Sequence, residues 1–223
     1  MEKTRERDGT PAHLRHARFH MARCKRGEAV HATLRAEMAT CFNALKAKAR
    51  EQEDAEDLAI DADAEVQAAE ESVENCIRDL DGAAAAADRA NPSLSVQKTI
   101  FPEGFRAVID PDGYAQLAAL EPLRVRVQPF QNVATVSAAL TALNTAAAAL
   151  KDALVAEEAA EEVAERLFAE ELEARRAVRQ QLESAHGRLR DHYKARPALA
   201  ERYFFGKGSG RRSRKKKDGE PTR

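Results

Sequence analysis

Between Glu28 and Asp81 the chain contains neither proline nor glycine, and the alanine, glutamate, arginine and leucine that dominate the run all favour helix. One unbroken helix of that length reaches about 80 Å, too long to lie inside a compact domain of this size. The rest of the chain must therefore pack along it or close its ends.

The helical pattern extends past both ends of the run. Thr10-Pro11 predicts the start, with Thr10 as N-cap and proline in the first turn. Gly27 marks a bend, and Asn91-Pro92 is the stop, because a residue before proline avoids the helical region. A small-residue seam repeats in heptads through Met38/Cys41, Leu45, Ala55, Ala59/Ala62, Val66/Ala69, Val73/Cys76, Leu80/Ala83 and Ala87, interrupted at Lys48 and Gln52. Leu58, Ile60 and Ile77 lie beside it and are expected to widen the buried face. The first long helix is thus expected over 11–91, after a disordered, charged segment 1–10 that leads into no apolar signal core.

Residues 92–131 differ in character, with frequent prolines and the densest large apolar side chains. Phe101-Pro-Glu-Gly104 and Asp110-Pro-Asp-Gly113 read as turns. Leu94-Ser-Val96 and Leu123-Arg-Val-Arg-Val127 alternate with period two and predict a two-stranded ribbon; a short helix is expected from Asp112 to Leu120. This stretch reads as a folded tip. A second long helix follows from about Asn132 to Tyr193, with heptads beginning at Val133/Val136 and Leu140/Leu143, then a short helix from Ala198 to Phe205, the two making up 132–205. Gly206 opens a flexible linker and the tail that completes 206–223 is expected to be disordered.

Two long helices joined by a tip form an all-α antiparallel hairpin, coiled-coil-like, in which positions whose numbers sum to roughly 220 lie level. The alternative is a four-helix bundle with the first helix breaking near residues 49–54. No glycine, proline or capping pair there favours it.

Charge is segregated along this hairpin. Residues 1–50 hold 12 Lys/Arg against 5 Asp/Glu, residues 51–91 hold 2 against 14, residues 152–173 hold 1 against 9, and residues 174–223 hold 16 against 5. Like blocks therefore meet like across the hairpin, and the pattern suggests a charge-segregated rod whose acidic shaft accepts the basic end of another copy. The acidic runs Glu51–Asp57 and Glu157–Glu162 read as solvated helix faces. Cys24, Cys41 and Cys76 are odd in number and sit in helical pattern, so they read as reduced thiols of a cytoplasmic protein. No run of about 18 apolar residues is present to span a membrane.

Three groups of residues carry candidate chemistry. The tail, with Lys207, Arg211, Arg212, Arg214, Lys215, Lys216 and Lys217, is an electrostatic footprint for nucleic acid or another polyanion, and without interleaved aromatics it would be blind to sequence. His16, His20 and Cys24 share one helical face, with His192 near them in the hairpin register. Glu28/His31 and Glu183/His186 repeat the Glu-x-x-His spacing of metal-binding bundles. In a Glu-rich helical chain that spacing also arises without a metal, and the histidines read first as surface or boundary residues, with no cofactor. Phe101 and Phe105 at the tip, and Tyr203, Phe204 and Phe205 at the open end, either seal the helix ends or dock a partner; Tyr114 and Phe130 belong with the tip aromatics.

Catalytic patterns are missing. Gly206-Lys-Gly-Ser-Gly210 lacks the spacing of a phosphate-binding loop, no Cys-x-x-Cys occurs, and no serine sits in a nucleophile-elbow pattern. The sequence therefore predicts a non-enzyme: a structural or adaptor protein that works through helix–helix association with itself or another protein, ahead of a polyanion binder and a metal-binding bundle.

Overall fold

The computed structural model describes Arg5 and residues 7–206. The chain is all-α, and its two long helices, α2 (Ala29–Ala90) and α6 (Ala134–His192), pack against each other as a hairpin. Between them lie α3 (Val96–Ile100), α4 (Arg106–Ile109) and α5 (Gly113–Val127); α1 (Thr10–Arg23) precedes them and α7 (Ala198–Glu201) follows. The chain divides into two compact units, one combining the residues up to Glu53 with those from Arg166 onward, the other comprising Asp54–Glu165.

The predicted register holds. Glu37 accepts hydrogen bonds from Gln181 (2.8 Å) and Arg188 (2.6 Å), Lys48 meets Glu170 (2.7 Å) and Glu28 meets His192 (3.3 Å), so positions summing to roughly 220 do lie level. The helix α2 runs without interruption through residues 49–54, which removes the four-helix alternative.

The expected helix over 11–91 is instead two helices. The α1 helix stops at Arg23, a 3₁₀ turn covers Cys24–Arg26, and Gly27 is extended (φ −97°, ψ 179°) before α2 begins. Any residue adopts that backbone, so the glycine serves another need: a Cβ at position 27 would stand 2.2 Å from Cγ of His31. The start also differs in its chemistry. Gly9 is the N-cap and Pro11 lies in the first turn, while Thr10 is already helical and gives no cap. Its hydroxyl donates to the buried Glu171 carboxylate and accepts from Nε of Arg175 (2.6 Å), and Nη2 of Arg175 donates to the same carboxylate (2.8 Å). A tertiary partner has taken the group that local capping would have used.

In the unit Asp54–Glu165, Val73, Ile77, Leu80 and Ala84 of α2 and Val136, Leu143 and Leu150 of α6 enclose Val96, Ile100, Leu120, Leu123 and Val127. The expected ribbon does not form: Val96 opens α3, and residues 123–127 complete α5, which runs beyond the predicted end at Leu120 and carries Pro122 inside it. No strand occurs among the described residues. Helix wins because Leu120, Leu123 and Val127, spaced three and four apart, reach the core together. Polar side chains fasten the short helices. The Asp88 carboxylate accepts from the Val96 and Gln97 amides (2.6 and 3.0 Å), and Glu70 accepts from the Gly113 amide (2.7 Å). Phe101-Pro-Glu-Gly104 is the expected turn, with Gly104 left-handed at φ 86°.

The second core, in the unit holding both chain ends, joins Leu34, Met38 and Leu45 of α2 to Val178, Leu182, Ala185 and Leu189 of α6, with Ala17, Ala200 and Phe204. Along α2 and α6, residues 46–65 bury only Ala55 and residues 155–177 only Glu171. Of the three residues expected to widen the seam, Ile77 is buried, whereas Leu58 and Ile60 stand exposed at 63% and 66%. The short helix expected from Ala198 to Phe205 is the single turn Ala198–Glu201.

Candidate docking site

The α1 helix buries Thr10, His13, His16, Ala17 and His20, so the face it turns inward is made largely of histidine. Segment 202–205 returns over it. The His20 ring stacks on Phe204 (5.0 Å, 21°), and His16 lies 4.9 Å from Phe205. Beside them His31 stacks on Tyr203 (4.8 Å, 29°). The Tyr193 hydroxyl is 2.9 Å from Nε2 of His31 and 3.1 Å from the Tyr203 hydroxyl. Nε of Arg23 donates to the Arg202 carbonyl (2.9 Å) and fixes the returning segment. Four of the six histidines are therefore buried, where surface or boundary positions were expected. Aromatic partners make this tolerable for His16, His20 and His31, because a neutral imidazole is flat, stackable and able to share its remaining polarity, while Nδ1 of His13 lies 3.2 Å from the Gly9 carbonyl.

Burial determines the ionisation of this cluster. It lowers the His20 pKa to about 4, partly countered by the Tyr203 carbonyl 3.3 Å from Nδ1. It lowers His31 as well, with His192 adding repulsion. The bond to Tyr203, then burial, pushes Tyr193 up to about 12, and burial pushes the Cys24 thiol up to about 11. At neutral pH His20 and His31 are uncharged and Cys24 is a thiol, a poor nucleophile.

The metal candidates are dispersed among other partners. Cys24 Sγ and His20 Nε2 approach to 3.6 Å, but His16 packs on Phe205. Glu28 pairs with His192 instead of sharing a ligand with His31, which bonds Tyr193, and His186 pairs with Glu201 (2.7 Å) rather than acting with Glu183. Among the described residues no three His, Cys, Asp or Glu side chains converge on one point. Phe204 is buried in the core of its unit with Tyr203 packed against it, the two rings stacking on His20 and His31. Phe101 is likewise buried in the tip core, with Phe105 and Phe130 packed against it, while Tyr114 is half exposed. Lys207, Arg211, Arg212, Arg214, Lys215, Lys216 and Lys217 lie outside the described residues.

Phe205 is the exception among the terminal aromatics, because it faces a cleft. The outer side of α1 and the adjoining face of α2 enclose about 620 Å³ floored by Leu14, Phe19, Met21, Phe42 and Phe205 and rimmed by Arg15, Arg18 and Lys46. A second cleft of about 380 Å³ shares Arg18, Met21 and Ala22, continues over Ala32, Ala36 and Ala39, and is rimmed by Lys25 and Arg35. Five cations line the two clefts and no carboxylate does. The Arg15 guanidinium lies 5.2 Å over the Phe205 ring, which holds one of these charges at the mouth. Sequence reading missed this groove. The available signal was that Leu14, Arg15, Arg18 and Phe19 fall away from the histidine face, so residues 11–22 carry two apolar faces and demand two neighbours.

Comparison of the chain with protein-family models, with curated proteins and with solved structures finds no match in any of the three. Among the described residues no helix is long and apolar enough to cross a membrane.

Proposed function

We propose that the protein is a structural adaptor, not an enzyme, and that it works through helix–helix contacts of coiled-coil type, including contacts with itself. The observation that carries this reading is the α1–α2 groove: apolar along its floor, cationic along its rim, and open enough to receive a helix that presents apolar residues between carboxylates. The same reading places it in a reducing compartment such as the cytoplasm, which the free thiols Cys24, Cys41 and Cys76 support.

The test is fluorescence anisotropy with a labelled designed amphipathic helix carrying a Leu/Ile face flanked by glutamates, beside a control in which lysines replace the glutamates. The acidic peptide should bind, weaken as salt rises, and weaken at least tenfold in Arg15→Glu/Arg18→Glu. Failure of both peptides to bind would refute the groove as a docking site. The same five cations also support a second reading, sequence-independent polyanion binding assisted by Lys207 and 211–217. A salt titration against a short DNA duplex, comparing the full chain with a truncation after Phe205, tests it: salt-sensitive binding lost with the tail would favour it.

A further inference from the structure

We propose that the natural occupant of this groove is the acidic face of α2 around Ile60 in a second copy of the chain; this rests on the groove being a helix-docking site. Ile60 is the most exposed large apolar side chain among the described residues, followed equally by Leu58 and Val125, and both Ile60 and Leu58 stand in the acidic part of α2. One helical turn to either side of Ile60 lie Glu56, Asp57, Asp63 and Ala64, with Glu53 and Gln67 a turn further out, all exposed. The result is an apolar knob within a ring of carboxylates. Asp63 accepts a hydrogen bond from Gln67 (3.0 Å), while Glu53, Glu56 and Asp57 have no ion-pair partner among the described residues.

The groove is the counterpart in both respects. Its apolar floor accepts a branched aliphatic side chain, and Arg15, Arg18 and Lys46 stand where the flanking carboxylates of a seated helix would pass. The lengths also agree. The α1 helix has 14 residues, about 21 Å, and the acidic face from Glu53 to Gln67 spans the same rise. A chain that carries such a knob and such a groove presents each to every other copy at equal concentration. Because the two surfaces differ, the contact is heterologous: each copy added offers a new groove or a new knob, and growth continues unless a ring closes. Attraction between exposed charges is screened over about 8 Å at physiological ionic strength, so association should weaken as salt rises.

Sedimentation velocity on the full chain, from 1 to 100 μM (about the range in which weak contacts of this kind populate) in low and high salt, tests the proposal. Concentration-dependent assembly that high salt reverses is expected. Arg15→Glu/Arg18→Glu, which disables the groove, and Glu56→Lys/Ile60→Lys, which disables the knob, should each weaken association at least tenfold. All four positions are exposed, and circular dichroism verifies that helix content is kept. Mixing the two variants is the decisive step: each keeps the surface the other lost, so a one-to-one complex should form and grow no further. A wild type that stays monomeric at low salt, or variants that assemble as the wild type does, overturns the proposal. Binding of the acidic peptide by a monomeric chain would leave the adaptor reading standing and defeat self-docking alone.

Discussion

Acid should loosen the unit that holds α1, and the size of the effect follows from His20. Its ring is fully buried against Phe204, with Cys24 at 3.6 Å, the Tyr203 carbonyl at 3.3 Å and His31 adding repulsion to any charge. The folded-state pKa is about 4, against 6.5 for a free imidazole. Because the unfolded chain takes up the proton first, the stabilisation is complete above about pH 6.5 and is lost as pH falls towards 4. The difference in proton affinity corresponds to a loss of about 2 kcal/mol by pH 5 and about 3 kcal/mol near pH 4. The lowered pKa of His31 acts in the same direction. Glu37, whose carboxyl is held below 4.5 by Arg188 and Gln181, joins only towards the acid end of this window. A loss of this size is a substantial part of the stability of an ordinary domain. Urea unfolding followed by tyrosine fluorescence measures it in a Tyr114→Phe background, where the remaining tyrosines, Tyr193 and Tyr203, both belong to this unit. His20→Phe keeps the stack on Phe204 and removes the titration. It should cost about 1 kcal/mol at pH 7 through the lost polar contacts, yet show a visibly shallower slope between pH 7 and 5. Equal slopes in the two proteins would refute the argument.

Gly27→Ala should destabilise the same unit by about 1–3 kcal/mol, since the new Cβ overlaps the His31 ring; a lower urea midpoint with unchanged stability of the unit Asp54–Glu165 is the expected pattern. Thr10→Val removes both the donor to Glu171 and the acceptor for Arg175, and should cost about 1–3 kcal/mol by leaving a buried carboxylate one bond short. Hydrogen exchange in the first turns of α1 should accelerate in that variant. Asp88→Ala strips the cap from α3 and should cost about 1–2 kcal/mol, with faster exchange of the Val96 and Gln97 amides; Asp88→Asn, which keeps one acceptor, should cost less.

The hairpin and its register were legible because two long helical runs joined by one short tip leave few ways to arrange two helices, and the tip centre sets which positions lie level. The tip was misread where period-two alternation at 123–127 coincided with helical spacing from Leu120, and burial decided for helix. Thr10 was misread because a threonine before proline looks like a cap, while its actual partners are 161 and 165 residues away. The metal spacing of His16, His20 and Cys24 recorded a shared helical face correctly. What no spacing conveys is that segment 202–205 covers this face with aromatic rings. The groove escaped notice for a related reason: a cleft is a property of two neighbouring surfaces, and sequence shows each only singly.

The division of the chain also bears on how it folds. The unit Asp54–Glu165 is continuous in sequence, whereas the other is assembled from two segments separated by all of it. Joining Leu34 and Met38 to Leu182 and Leu189 requires closing a loop of well over a hundred residues, a large entropic demand if met first. If the continuous unit condenses first, that loop shrinks to a short closure. During synthesis, Leu34, Met38 and Leu45 emerge well before the residues of α6 that will cover them, so the apolar side of the early chain stands open for the longest time.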